Sequence, residues 1–137
     1  MKVLIDTNIL IDYIMNREPY AEIASEIVMM CSEKKIDGCI AAHSVPNIFF
    51  ILRKSLSPHD RRNILKSLFT IFSVESIDRE KLLSALDNDD FADFEDSLQE
   101  ECAITFSADY IITRNEKDFE KSRITAVTPE KFIEVVR

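Results

Sequence analysis

Glycine, cysteine and long apolar runs are scarce in this chain of 137 residues, and each scarcity excludes a class of protein. One glycine and four prolines leave little room for flexible linkers, so we expect one domain over residues 1–137. The cysteines, Cys31, Cys39 and Cys102, lack paired metal-ligand spacing, which favours reduced, buried thiols over zinc ligands. No apolar stretch approaches the roughly 18 residues of a membrane span. No signal peptide is evident either, so a cytoplasmic protein is expected.

Basic residues are also few, and they are concentrated in one stretch of the chain. The net charge of -8 argues against a general, salt-driven nucleic-acid binder. Residues 82–113 carry nine acids and no lysine, arginine or histidine, whereas residues 53–66 hold five lysines and arginines against the single acid Asp60. These five are Arg53, Lys54, Arg61, Arg62 and Lys66. Such segregation suits a protein that gathers cations in one place and contacts phosphates in another, although a basic helix face is also commonly just solvated.

Strand-like and helix-like segments alternate along the chain, with no repeat or low-complexity tract. Strands are predicted at residues 2–5, 39–42, 72–74, 110–113 and at Val127; helices at 7–15, 20–31, 45–52, 78–86 and 91–104, and beginning at Pro58 and Pro129. Strands that alternate with helices imply parallel strands joined by crossovers. We therefore predict an α/β fold, a three-layer α/β/α domain with a central, mainly parallel sheet.

Two helix starts combine an N-cap residue with proline at the first helical position, at Ser57-Pro58 and Thr128-Pro129. We expect the helix after Ser57 to turn its apolar side chains inward and its basic side chains outward. The apolar set is Ile64, Leu65, Leu68 and Phe69.

The first candidate site residue is Asp6, in the tripeptide Asp6-Thr7-Asn8 that follows the apolar run at residues 3–5. A carboxylate at the end of a buried strand is an expensive place for a charge. Ligands of open α/β sheets lie outside the carboxyl ends of the strands. Asp6 is therefore placed where a metal or a phosphate would be bound, although it could also cap the next helix.

Two further polar clusters fall at matching places along the chain. One contains Asp93, Glu95 and Asp96 near a helix start; the other contains Arg114, Asn115 and Asp118 after the strand that ends at Thr113. If the strands are parallel neighbours, these clusters converge with Asp6 at one edge of the sheet. Several carboxylates within a few ångströms cannot all stay ionised without a cation between them. Acids without nearby cysteine or histidine favour Mg²⁺ or Mn²⁺ over zinc, and such a cation can activate water against a phosphodiester.

Four motifs in this order and spacing resemble the PIN-domain family, including the toxin subunits of VapBC-type toxin–antitoxin modules. The motifs are Val3-Leu4-Ile5-Asp6-Thr7-Asn8, Ile40-Ala41-Ala42-His43-Ser44-Val45-Pro46-Asn47, Asp93-Phe94-Glu95-Asp96-Ser97-Leu98 and Tyr110-Ile111-Ile112-Thr113-Arg114-Asn115-Glu116-Lys117-Asp118-Phe119. The resemblance covers essentially the whole chain. It implies a Mg²⁺- or Mn²⁺-dependent ribonuclease acting on single-stranded RNA. It also implies a possible antitoxin partner, whose tail would cover the pocket, and a homodimer.

Carried over residue by residue, Asp6 matches the family's first acid and Asp96 the acid that opens the later helix. Asn115 stands where the family commonly has an aspartate. Asn47 stands where many members have a glutamate. Each amide removes a charge from a cation site, and Asp93 and Asp118 are close enough in sequence to compensate. The expected catalytic residues are Asp6, Asp96, Asp93 and Asn115; the expected metal ligands are Asp6, Asp96, Asp93 and Asp118; the expected substrate-binding residues are Asn8, Thr113, Arg114, Arg53 and Lys54.

Several of these residues have an ordinary structural alternative. Asp93 is also a good helix-start residue, and Asn115 and Asp118 are common turn formers. Thr113 is either a plain strand residue or one whose hydroxyl orients a carboxylate or water. Asn47 is equally placed to begin a helix. His43 and His59 have no partner at ligand or triad spacing.

Two other function classes compete with the nuclease. The chain could keep the fold as an RNA-binding or protein-interaction module with a degenerate, inactive metal site, which Asn47 and Asn115 motivate. It could instead be a phosphoryl-accepting α/β domain. A phosphohydrolase of the haloacid dehalogenase type would need an aspartate where Asn8 stands, and a receiver would need paired acids and a later lysine that are not evident.

Overall fold

The computed structural model describes all residues from Met1 to Arg137. Five strands and seven helices alternate along it, as the sequence predicts. The strands are β1 (Lys2–Ile5), β2 (Asp37–Ala41), β3 (Ser73–Glu75), β4 (Tyr110–Ile112) and β5 (Ala126–Val127). The helices are α1 (Thr7–Met15), α2 (Ala21–Ser32), α3 (Ser44–Ile51), α4 (Pro58–Ile71), α5 (Arg79–Leu86), α6 (Phe94–Phe106) and α7 (Pro129–Val136). Short 3₁₀ turns follow at Leu52–Lys54 and Glu116–Phe119. None of the helices has the length and apolarity that crossing a membrane requires.

The five strands form one sheet in the order β3-β2-β1-β4-β5, and every neighbouring pair is parallel. The predicted α/β fold with a mainly parallel sheet is confirmed. The first strand lies at the centre, where β1 pairs with β4 in a register that sets Ile5 opposite Ile112. The residues that follow these two strands, Asp6 and Thr113, therefore emerge side by side at one edge of the sheet.

Two apolar cores lie on opposite faces of the sheet, because successive side chains of a strand point to opposite faces. From β1, Val3 and Ile5 join the larger core beneath α1, α2, α4 and α7, while Leu4 joins the smaller core beneath α6. This division makes the domain three-layered. The single glycine, Gly38, lies where β2 passes close to α2: a Cβ atom there would come within 2.7 Å of the Cys31 Sγ.

The three cysteines are buried and free, as expected. Burial raises the pKa of the Cys31 thiol to about 12 and that of the Cys102 thiol to about 11. These thiols are therefore protonated, unreactive core side chains at neutral pH.

The capping residues predicted two helix starts correctly, but the start of α6 and one buried position of α4 were predicted wrongly. Ser57 and Thr128 cap α4 and α7 as predicted, each accepting a hydrogen bond from the backbone three residues on. The helix predicted from residue 91 begins at Phe94, because Asp93 is its N-cap. On α4, Leu65 and Leu68 are buried as expected, but Phe69 is 56% exposed.

Arg61 is also placed contrary to expectation, since it is buried rather than directed outward. Its guanidinium donates to the backbone oxygen of Phe49 at 2.8 Å and stacks on the Phe49 ring. The aromatic ring and the carbonyl on α3 thus hold a residue that periodicity alone assigns to solvent.

Candidate active site

Asp6 is a buried carboxylate held by two neutral donors. Its side chain is only 4% exposed. Gln99 Nε2 donates to Oδ1 at 2.7 Å, and Thr113 Oγ1 donates to Oδ2 at 2.8 Å. No lysine or arginine forms an ion pair with it. No cationic side chain of the protein therefore neutralises Asp6 at the end of the central strand.

Thr113 fulfils the second of its two predicted roles, since its hydroxyl orients a carboxylate. The side chain is fully buried, and its oxygen also accepts a hydrogen bond from the Asn115 backbone N–H at 3.0 Å. Thr113 thus fixes Asp6 and the loop that begins at Asn115, and its predicted contact with substrate stays a prediction.

Helix α6 brings the second acid cluster to the same place. Asp93 Oδ1 accepts a hydrogen bond from the Asp96 backbone N–H at 2.9 Å and so caps the helix. Asp96 lies half-buried in the first turn. Burial raises the pKa of Asp96 to about 7, and repulsion from the surrounding carboxylates, chiefly Asp93, Asp6 and Asp118, adds to the shift.

The clusters enclose a solvent-open cavity of about 370 Å³. Its lining includes five carboxylates and no lysine or arginine. The lining residues are Asp6, Thr7, Asn8, His43, Asn47, Phe50, Ile51, Asp93, Glu95, Asp96, Gln99, Asn115, Asp118 and Phe119. The predicted residues Asp6, Asn8, Asp93, Asp96, Asn115 and Asp118 are thus brought together. The field in such a pocket attracts cations.

The four predicted metal ligands, Asp6, Asp93, Asp96 and Asp118, all line the pocket, and their binding of a metal stays a prediction. No three acidic, histidine or cysteine side chains approach closely enough to hold one metal ion. Asp93 caps α6 through one of its oxygens, Oδ1, and Asp6 and Asp96 are the more buried acids of the pocket. Proteins usually bind Mg²⁺ through one or two carboxylates, and the ion keeps several waters. The oxygen donors of this pocket therefore still fit Mg²⁺.

The predicted substrate-binding cations lie outside the pocket lining. Arg114 is bound to Asp12 through Nε at 2.7 Å and NH2 at 3.3 Å, and its guanidinium stacks on Tyr20 at 4.0 Å. Since Asp12 is fully buried, Arg114 serves to neutralise it. Arg114 is thus occupied by a structural ion pair, and its contact with substrate stays a prediction.

Arg53 and Lys54 lie in the 3₁₀ turn after α3 and are exposed. The Arg53 guanidinium lies 3.7 Å from the centre of the Phe50 ring. That ring is 60% exposed and lines the pocket. A cationic and aromatic surface thus adjoins the acidic pocket.

Sequence reasoning missed Gln99 and Asp12. Gln99 follows Asp96 by three residues, and this spacing places both side chains on one face of a helix. That signal could have singled it out. Asp12 interrupts the apolar sequence of α1, which marks a buried acid, but nothing local connects it to an arginine 102 residues away.

Comparison with known proteins agrees with this architecture. The family model described as PIN domain matches residues 2–117. The chain belongs to the PIN-domain family. No match is found among curated proteins.

Several solved structures share the PIN-domain fold of this chain. A toxin–antitoxin complex from Klebsiella pneumoniae has a TM-score of 0.71 at 22% identity, covering 93% of this chain and 97% of that one. VapBC2 from Rickettsia felis, bound to a DNA fragment from its promoter, has a TM-score of 0.69 at 14% identity, covering 93% and 98%. FitAcB from Neisseria gonorrhoeae has a TM-score of 0.68 at 17% identity, with the same coverage of 93% and 98%.

Proposed function

We propose that this PIN domain is a Mg²⁺- or Mn²⁺-dependent endoribonuclease that hydrolyses phosphodiester bonds of single-stranded RNA. The observation that carries the proposal is the buried Asp6 carboxylate, which has no cationic partner and shares with Asp96 a pocket without lysine or arginine. An uncompensated charge of this kind is strongly unfavourable in a structural role and useful in a cation site.

The proposed division of labour follows from the geometry. Asp6 and Asp96 hold the cation, which would supply electrophilic stabilisation of the phosphodiester and an activated water. Gln99 and Thr113 fix both oxygens of Asp6, so that the acid need not reorganise when the ion arrives. Asn115, Asn47 and Asp118 line the remaining wall and are available to hydrogen-bond water or substrate.

The surface beside the pocket supports a single-stranded nucleic acid as substrate. Phe50 presents an exposed ring at the rim, and Arg53 and Lys54 follow it on the same turn. Proteins bind single strands by combining aromatic stacking with cations that contact the backbone. The basic stretch is local, which agrees with a net charge that disfavours general nucleic-acid binding.

We further propose that the chain is the toxin of a toxin–antitoxin pair and acts as a homodimer in the cytoplasm. The support is the shared fold with the toxin–antitoxin complexes above. An antitoxin segment that covers the pocket would introduce a basic side chain there, since the lining supplies none of its own.

The deciding experiment is cleavage of a mixed single-stranded RNA with Mg²⁺ or Mn²⁺. Its controls are EDTA and an Asp6→Ala, Asp96→Ala double variant. We expect cleavage in the wild type and its loss in both controls. A matched variant, Asp37→Ala with Asp87→Ala, removes two exposed carboxylates outside the pocket and should cleave normally. Cleavage by the Asp6, Asp96 variant would reject the assignment of the site.

The alternative is an RNA-binding or protein-interaction module with an inactive pocket. Two observations favour it: Asn47 and Asn115 line the pocket in place of acids, and no three candidate ligands converge. In this case folded protein free of any bound inhibitor would not cleave RNA with either ion. Its melting temperature would also be insensitive to them, because only an ion that binds the folded state stabilises it.

A further inference from the structure

We infer that Gln99 is a positioning residue of the pocket. Its amide nitrogen fixes Asp6, and its amide oxygen Oε1 accepts a hydrogen bond from a water of the hydrated cation. This inference rests on the proposed function, because it concerns the same cation. It assigns a role to a residue that is neither acidic nor at the end of a strand.

The orientation of the Gln99 amide follows from its partner. An ionised carboxylate only accepts hydrogen bonds, so the nitrogen of the amide must face Asp6. The 2.7 Å distance between Nε2 and Oδ1 is that of a charge-assisted hydrogen bond. The oxygen of the same amide is therefore directed away from Asp6.

The remaining atom, Gln99 Oε1, is buried and has no hydrogen-bond partner in the protein. The residue is 2% exposed, so bulk solvent does not satisfy this oxygen. A buried unsatisfied polar atom destabilises the folded state, and native proteins retain few of them. An unmade hydrogen bond at this position points to a ligand that completes it.

Such unmade bonds are concentrated in this pocket. Three buried side-chain atoms of the protein lack a partner, and two of them belong to residues of the pocket lining, Gln99 Oε1 and His43 Nδ1. The third, Arg61 Nε, lies on α4. A Mg²⁺ ion that keeps several waters would bring both donors and acceptors to these orphaned atoms.

A neutral amide is well suited to this position. A lysine or arginine at residue 99 would cancel the charge of Asp6 and compete with the cation. An apolar side chain would leave Oδ1 without its donor, with only Thr113 to fix the carboxylate. Glutamine orients the acid without neutralising it, as hydrogen-bond partners of metal ligands generally do.

The test measures Mn²⁺ binding directly, by calorimetry, in the wild type and in two variants at residue 99. Gln99→Leu removes both the donor and the acceptor, and we expect its dissociation constant for Mn²⁺ to rise about 10- to 100-fold. Gln99→Glu keeps oxygen atoms at the site and adds a charge, so its affinity should exceed that of Gln99→Leu. Each variant is also melted in EDTA to establish that it is folded.

Ser97→Ala is the matched control. Ser97 is buried on the same helix, but its hydroxyl donates to the Ala85 backbone oxygen, outside the pocket. We expect this variant to bind Mn²⁺ as the wild type does, even if its melting temperature falls. If Ser97→Ala weakened Mn²⁺ binding as much as Gln99→Leu, the effect would be general loosening of α6 and the inference would be rejected.

Two other results would overturn the inference. Unchanged Mn²⁺ affinity in folded Gln99→Leu would reject any positioning role. Equal affinities in Gln99→Leu and Gln99→Glu would reject the role of the amide oxygen. Failure of the proposed function is distinguishable from both, because in that case the wild type itself would not bind Mn²⁺.

Discussion

Asp6 and Asp12 are two buried aspartates, six residues apart, that the protein treats in opposite ways. Asp12 is fully buried and receives a two-pronged ion pair from Arg114. Asp6 is almost as buried, yet its two partners, Gln99 and Thr113, are neutral. The first carboxylate has a cationic partner within the protein, whereas the second has none and lies in a pocket lined by further acids.

This difference separates structural from functional burial of charge. A buried acid with an arginine partner joins elements of the fold, here α1 and the loop after β4. A buried acid whose donors are neutral is held in place while its charge stays available to a cation that the chain does not provide. Burial alone does not distinguish the two cases, whereas the identity of the partner does.

The strongest test of the structural role of Asp12 and its ion pair is Arg114→Met. This change leaves Asp12 as an uncompensated buried charge, and we expect a loss of about 3–5 kcal/mol in the free energy of unfolding. Urea unfolding in EDTA would measure it. The double variant Asp12→Asn, Arg114→Met should recover most of the loss, since it removes both charges. No recovery would mean that the Arg114 stacking on Tyr20, not the ion pair, is the stabilising contact.

For Asp6, whose partners are neutral, we expect Mg²⁺ or Mn²⁺ to stabilise the wild type. An ion at 100 times its dissociation constant adds about 2.7 kcal/mol to the free energy of unfolding, provided that it binds only the folded state. Thermal melting with and without the ion would show this. Asp6→Asn should abolish the response, whereas the Asp12, Arg114 double variant should retain it. A response that survives in Asp6→Asn would locate the cation elsewhere.

Because of Asp96, we expect the free energy of unfolding to depend on pH. Because its pKa is raised in the folded protein from 3.8 to about 7, the folded state holds this proton more tightly than the unfolded state. Stability should therefore fall as pH rises through the window from about 4 to 7. The pocket is open to solvent, so we expect a contribution on the order of 1 kcal/mol.

The contribution of Asp96 is isolated by comparison with Asp96→Asn in EDTA. The free energy of unfolding of the wild type minus that of the variant should decrease between pH 4 and pH 7. A constant difference would show that Asp96 has an ordinary pKa. Saturating Mg²⁺ at pH 7 should reverse the trend for the wild type alone, because the cation competes with the proton.

The smallest expected effect concerns the arginines. Arg114 is engaged by a carboxylate, whereas Arg53 has only the Phe50 ring and the Phe50 backbone oxygen as partners. Arg53→Met should weaken binding of single-stranded RNA a few-fold and lower the salt dependence of binding by about one phosphate contact. Fluorescence anisotropy in an Asp96→Asn background would measure this without cleavage. An unchanged salt dependence would exclude a contact between Arg53 and phosphate.

The fold could be predicted largely from sequence because its signals are local. The apolar β1 and the cap residues Ser57 and Thr128 act within a few residues of themselves, and the structure confirms each. The helix boundary at Phe94 was misplaced because Asp93 satisfies both a capping and an acidic-cluster pattern. The exposure of Phe69 depends on which helices pack against α4, and periodicity does not contain this information.

The candidate site could be predicted from the sequence in part. Asp6, Asp96 and Asn115 were predicted from strand ends and motifs, and the structure brings them into one pocket. Their assigned roles in catalysis and metal binding stay predictions. The contact of Gln99 with Asp6 and that of Arg114 with Asp12 were missed, because they join residues 93 and 102 positions apart. Contacts between residues so far apart depend on the assembled sheet, not on any local pattern.

The central position of β1 has a consequence for biosynthesis. The ribosome makes Asp6 long before its hydroxyl partner Thr113, which is 107 residues further along the chain. The pocket therefore cannot assemble until β4 has left the exit tunnel and joined the strand that was made first. Pairing over such a distance is slow compared with local helix formation. A growing chain thus carries its acids in an unassembled form, and any activity of the pocket begins only after β4 has been made and has paired with β1.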